Sequence, residues 1–260
     1  MGRPKLNIRH KVIKMGLLVS MIFGLSFQNN TDNSFKNSQI KYKNVKTAYA
    51  KKWDELQKLL KEKGIDQKNF EIHIRSFKYE KQLEVWSRNK GDIKYVLLKT
   101  IAICASSGNL GPKRKEGDLQ VPEGFYEVAW FNPMSDYHLG LKINYPNKSD
   151  LILAQGKPGG DIMIHGNCVT IGCIPLQDDP IEELYVLCVE SKNKKNAIGV
   201  SIYPCKLNKQ NFESLNKQYS NDKEKIKFWT NLKSVYQFFE DNKNMPKITV
   251  AKSGDYVAEI

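Results

Sequence analysis

The sequence predicts an α+β fold that is mainly β, with helices flanking an antiparallel run of strands. Three observations carry this. Short segments between residues 70 and 165 alternate apolar and polar side chains. Clusters of Asn, Gly, Asp and Pro separate those segments. Apolar residues at helical spacing frame the stretch on both sides. No internal repeat and no second domain is legible.

The elements follow in order. Val45, Tyr49, Trp53, Leu56, Leu59 and Leu60 lie at helical spacing within 44–63, and Gly64 is the stop. Phe70, Ile72 and Ile74 alternate with Glu71, His73 and Arg75, which places His73 on a solvent face. Leu83–Trp86 and Tyr95–Cys104 are further strands, parted by the turn signal Asn89-Lys90-Gly91-Asp92. Residues 105–125 are Gly- and Pro-rich, too irregular for a strand and long enough to be a functional or mobile loop. Tyr126–Phe131, Leu139–Asn144 and Asp161–His165 read as strands. Asp179, Pro180 and Glu182 form a capping-box start for a helix with Ile181, Leu184, Tyr185 and Cys188 on its apolar face. Residues 208–219 and 223–241 are helical, and a short strand is possible beyond Pro246.

The chain has 260 residues, a formal charge of +13 and 40% apolar residues. With a mean hydropathy of −0.52, this excludes a polytopic membrane protein and a wholly disordered chain. Five basic residues and no acid fall within 1–28, so the rest of the chain carries +8. That charge is scattered lysine without a nucleic-acid recognition motif, so no nucleic-acid partner is expected. The basic start precedes a thirteen-residue apolar run, Met15–Phe27, which suits a secretory leader and is short for a membrane span. Residues 1–28 are therefore expected to be a signal peptide or an uncut N-terminal anchor, with export to the periplasm or cell envelope. Five cysteines remain, so at least one thiol is free or pairs between chains.

The chemistry-bearing string is His165-Gly166-Asn167-Cys168-Val169-Thr170-Ile171-Gly172-Cys173-Ile174-Pro175. A thiol attacks as thiolate, and a nearby imidazole can take its proton. The eight-residue spacing from His165 to Cys173 lets the chain leave a strand, turn and return. Gly172 would let a substrate carbonyl approach the backbone, and amides near Cys173 could donate to an oxyanion. No acid is obviously placed to orient His165, and the Gly166 carbonyl is the candidate. Cys168 could pair with Cys173, although a packed thiol is the default, as it is for Cys104 and Cys188. A zinc site from His165, Cys168 and Cys173 lacks a clear fourth ligand, so no metal and no cofactor is expected.

The string resembles the signature of the L,D-transpeptidase catalytic domain (YkuD-type): His-Gly, a short spacer, Ser or Thr, any residue, Gly-Cys, then Ile or Val. Upstream, Gly111-Pro112-Lys113-Arg114 and Pro122-Glu123-Gly124-Phe125-Tyr126 resemble a second family block. The likeness covers roughly residues 70–190. It implies an L,D-transpeptidase-like antiparallel β-sandwich or barrel with flanking N- and C-terminal helices. Residues 29–43, polar and rich in Asn, Ser and Lys, read as a linker, and the expected layout is then a catalytic domain over 44–245 and a C-terminal tail over 246–260. The resemblance also implies peptidoglycan stem peptides as substrate, Cys173 as nucleophile, His165 as base and acid, and the Gly166 carbonyl as orienter. Gly172, Thr170 and Ile174 would line the substrate site, and His138 is a further contact candidate. Many family members place Arg where Pro175 stands, which puts the usual cross-linking specificity in question. Lys113 or Arg114 could hold a substrate carboxylate instead. The compact spacing also resembles a subgroup that includes a murein transpeptidase-like amidase, which releases a wall-tethered protein, so hydrolysis stands beside transfer.

Overall fold

In the computed structural model, which describes residues 1–2 and 33–259, two helices come first, α1 (Ser34–Ile40) and α2 (Lys43–Glu62). The expected leader lies outside the described residues apart from Met1 and Gly2. The linker expected over 29–43 is corrected, because 34–40 are helical. The cause is tertiary. The Tyr185 hydroxyl donates to buried Gln39 at 2.6 Å, and the Lys36 amide donates to Asn193 at 2.9 Å. A segment with linker composition is held as helix by partners distant in sequence. Helix α2 buries Val45, Ala48, Lys52, Leu56 and Leu60, one stripe at 3.6-residue periodicity. It stops at Gly64, whose φ of +71° is left-handed.

Eight strands form one sheet: β1 (Phe70–Phe77), β2 (Gln82–Asn89), β3 (Val96–Ala102), β4 (Gly124–Asn132), β5 (Gly140–Ile143), β6 (Met163–His165), β7 (Ile174–Pro175) and β8 (Gly199–Tyr203). Their order is β3-β2-β1-β8-β4-β5-β6-β7. The expected meander is β1–β2–β3, and pairing is antiparallel except at β1–β8 and β6–β7. Helices α3 (Lys148–Leu153), α4 (Asp178–Asn193), α5 (Lys209–Gln218) and α6 (Lys223–Asn242) and a hairpin of β9 (Lys247–Val250) and β10 (Tyr256–Glu259) complete the described chain. The class is α+β, as the strand and helix patterning predicts, with helices on both faces of the sheet.

That second helical face corrects the reading of His73. Ile72 and Ile74 join the core that contains α2 and α4. On the opposite face of β1, His73 stacks on Phe239, Phe77 meets Tyr236, and Arg75 pairs with Glu240 at 2.7 Å. Helix α6 thus buries side chains that alternation assigned to solvent. Burial, with the Arg75 and Arg88 charges beside it, pushes the His73 imidazole from 6.5 down to about 3. A lowered value contributes stability that is present above pH 6.5 and lost as pH falls toward about 3. The urea midpoint is expected to drop between pH 7 and pH 4. It should drop less in His73→Leu/Ser201→Ala, which removes the ring together with its partner at 3.0 Å. Equal drops would place the acid sensitivity elsewhere.

The tail expected over 246–260 is also corrected. Tyr256 is buried, its hydroxyl accepts from Asn147 at 2.9 Å, and the Ser149 hydroxyl donates to the Gly254 carbonyl at 2.6 Å. Residues 33–259 lie within one compact unit, so neither 44 nor 245 divides the fold. The capping box at Asp179 is not formed either. Helix α4 starts at Asp178 after Gln177, Asp179 pairs with Lys52 of α2, and Glu182 takes His138 at 3.0 Å. The acidic first turn ties α4 to its neighbours. The helix is buried on nearly every side, as its apolar composition requires.

Candidate active site

The site is built on β5, β6 and β7. Leu141, Ile164 and Ile174 stand side by side across these strands and are all buried. They form the inner row. Side chains alternate along a strand, so Gly140, His165 and Pro175 form an outer row, also register partners. Extending the parallel β6–β7 register by one residue sets Cys173 beside Met163. Cys173 and His165 therefore project from the same face of adjacent strands, two residues out of register. The turn between them returns the chain as the spacing predicts.

The imidazole has a defined tautomer. His165 Nδ1 lies 2.6 Å from the Gly166 carbonyl, which can only accept, so Nδ1 carries the hydrogen and Nε2 the lone pair. Burial lowers the His165 value, against the Gly166 bond that raises it. The Tyr137 ring covers the imidazole at 4.7 Å. The Cys173 thiol is partly exposed and donates to the Asp161 carbonyl at 3.7 Å. Burial raises its value; the Met163 N–H directed at the sulfur lowers it, Asp161 raises it, and Lys113 lowers it. Both shifts favour the uncharged forms, a thiol and an imidazole on one face of the sheet.

The loop from 166 to 172 is fastened at several points. Asn167 N–H donates to Asp178 at 2.9 Å. Thr170 Oγ1 donates to the Cys173 carbonyl at 2.8 Å and accepts from Gly172 N–H at 3.2 Å. Thr170 thus braces the turn. Gly172 has φ +138°, and a Cβ there would lie 3.2 Å from the Gln120 carbonyl. The close approach it permits is by the chain's own 105–125 loop, which corrects the substrate-carbonyl reading. Cys168 forms a disulfide with Cys104, so neither is a packed thiol and Cys168 is not available to Cys173 or to a zinc ion. Cys173, Cys188 and Cys205 are free. The bridge joins the end of β3 to the loop between His165 and Cys173 across 64 residues. Loop-closure entropy at that length is worth about 4 kcal/mol. Cys104→Ser/Cys168→Ser is expected to unfold at lower urea and to alkylate more slowly at Cys173. An unchanged midpoint would show that the bridge does not form.

The 105–125 loop is not free. Buried Lys78 pairs with buried Glu123 at 2.9 Å, and Glu123 also accepts from Gly111 N–H at 2.8 Å and Trp229 at 2.7 Å. Asp118 gathers Lys113 Nζ at 2.6 Å with the amides of Arg114, Gln120 and Lys115. Burial raises the Asp118 value, but these bonds hold it below the usual carboxylate range. Lys113 is buried and paired there, close enough to act on the Cys173 thiol. Arg114 turns away, stacking on Phe228 at 4.8 Å and approaching Asp150 at 3.6 Å. It is not part of the site. Ile174 is also corrected: it is buried in the core beneath Cys173. His138, with φ +71°, is held by Glu182, so its ring is spent on α4. Sequence reasoning missed Tyr137, the Asp161 carbonyl and the Met163 amide. An aromatic next to His138 in a polar loop was the only signal for the first, and backbone groups leave none.

A protein-family comparison matches residues 72–197 to the L,D-transpeptidase catalytic domain, YkuD. The chain is 36% identical over 189 residues to "Putative L,D-transpeptidase YafK" of Escherichia coli K12, covering 72% of this chain and 73% of that one, and equally to its counterpart in the O157:H7 strain. Among solved structures it is similar to Pgp2, the helical cell shape determining protein of Campylobacter jejuni, with 23% identity, 71% and 74% of the two chains covered and a TM-score of 0.44. It is also similar to Bd1075 of Bdellovibrio bacteriovorus, with 18% identity, 70% and 75% covered and a TM-score of 0.35. The identity to YafK over most of both chains and the family match across the strands that carry His165 and Cys173 agree: this chain belongs to the YkuD-type L,D-transpeptidase family, whose function is peptidoglycan-related.

Proposed function

We propose that the chain is a peptidoglycan-modifying L,D-transpeptidase with Cys173 as nucleophile. The observation that carries this is the shared outward face of Cys173 and His165 with Nδ1 of the ring committed to the Gly166 carbonyl. Nε2 takes the Sγ proton as sulfur attacks the stem-peptide carbonyl before a D-residue. The tetrahedral intermediate collapses to a thioester, and the leaving amine takes the proton from Nε2. A second amine then attacks the thioester, restores the thiol and leaves the two stems joined by an amide. The two charges of the activated pair form only during reaction, which matches shifts that favour the uncharged form of each group.

Hydrolysis is the second reading, with water resolving the thioester to give a shortened stem or a released wall-tethered protein. Pro175 favours it, because it sits beside His165 in the outer row and offers no cation to an acceptor's carboxylate. The proposed location is the cell envelope, after export directed by residues 1–28, which as an uncut anchor would hold the protein at a membrane. The Cys104–Cys168 bridge supports export, since such bonds persist in oxidising compartments. Among the described residues no helix is long and apolar enough to cross a membrane. The test is mass spectrometry of muropeptides incubated with the full chain. Cross-linked products mark transfer and shortened stems mark hydrolysis. Unaltered muropeptides would end both readings.

A further inference from the structure

The outer face of the sheet continues past the candidate site. Trp130 pairs in register with Lys142, and Lys142 with Met163. With Cys173 beside Met163, four side chains stand in one row across β4, β5, β6 and β7. Beneath them Phe131, Leu141, Ile164 and Ile174 form a fully buried row. The parallel outer row, Asn132, Gly140, His165 and Pro175, is roofed near His165 by Tyr137. The row through Cys173 is the more open of the two. Lys142 Nζ, with a third of its side chain exposed, pairs with Asp161 at 2.5 Å. At the far end Trp130 is 52% exposed, with no aromatic or cation partner recorded among the described residues.

An apolar ring of that size held out on a rigid strand is an incomplete contact. Its distance from the sulfur indicates what completes it. Three strand spacings of about 4.8 Å place Trp130 about 14 Å from Cys173. In a stem peptide, three amino acids at about 3.5 Å each plus the lactyl link separate the attacked carbonyl from the sugar that carries the stem. The two lengths match. Lys142, paired with Asp161, lies midway along that path. The geometry points to Trp130 as a platform for an amino-sugar ring of the glycan strand, reached by a stem laid across β6 and β5 with its acyl end at Cys173. This assignment rests on the function proposed above and deepens it: the substrate is the glycan-linked stem in preference to a free peptide.

The test uses full-length Cys173→Ala, which cannot turn over, and two probes: a free tetrapeptide stem and the same stem on its N-acetylglucosaminyl-N-acetylmuramyl disaccharide. Calorimetric titration should show the disaccharide-linked stem binding about tenfold tighter, the size of one aromatic stacking contact. Adding Trp130→Ala should bring the ratio of the two affinities to about one, and Trp130→Phe should keep most of it. Thermal melts check that each variant is folded. Equal affinities in Cys173→Ala, or a ratio that survives Trp130→Ala, would overturn the platform and leave the stem-peptide reading standing. Binding of neither probe would overturn both.

Discussion

Turnover of stem peptides is expected to fall to background in Cys173→Ala, with the melting temperature kept within about 2 °C. Loss of a covalent nucleophile removes the reaction path itself, an effect on the order of 10⁶-fold where chemistry limits the rate. The fold should change little, because the thiol is partly exposed and its bond to the Asp161 carbonyl is a long contact at 3.7 Å. His165→Ala should cost about 10²- to 10⁴-fold, the usual worth of a positioned base. The pH profile separates the two roles. Burial lowers the imidazole, so activity should persist below the ordinary histidine range before protonation ends it. Burial raises the thiol, so iodoacetamide labelling of Cys173 should climb with pH beyond the ordinary cysteine range. Wild-type turnover in Cys173→Ala, or equal labelling rates at all free thiols, would refute the nucleophile assignment.

Gly166→Ala should both destabilise the protein and disable it. A Cβ at Gly166 would lie 2.7 Å from Asp178 Oδ1, 2.8 Å from the Tyr137 carbonyl and 3.0 Å from Ile181 Cγ2. Two of those neighbours are fixed: the Tyr137 oxygen is backbone, and Asp178 holds Asn167 N–H at 2.9 Å. Overpacking of this kind costs about 1–3 kcal/mol, or several degrees of melting temperature in a chain of this size. Any relief must move residue 166, and with it the carbonyl that sets the His165 tautomer. The catalytic loss should therefore exceed what the stability loss explains. Gly160→Ala is the matched control, because a Cβ there meets nothing within 4 Å. Normal melting and turnover in Gly166→Ala would show that the Gly166 carbonyl does not orient the ring.

Much of the candidate site is legible in the string from His165 to Pro175, because its requirements are local. A strand ends in a histidine, the next carbonyl takes Nδ1–H, and a glycine with φ +138° precedes the thiol. Ile174 shows how a local rule can still be misapplied. Reading 174–175 as strand would have turned Ile174 inward by parity with Cys173, but two residues are too few to display alternation.

By itself the sequence determined the helix at 44–63 and the β1–β3 meander, and it singled out one histidine and one cysteine on either side of a glycine-containing turn. Each depends on periodicity or spacing within a few residues. Tertiary structure alone decided that Cys168 bonds Cys104, that His73 and Arg75 lie beneath α6, and that Lys113 is held near the thiol while Arg114 leaves. It also aligned Trp130 with Lys142 and Met163. Those outcomes depend on which distant segments become neighbours, and no periodicity within one segment records what will cover its other face.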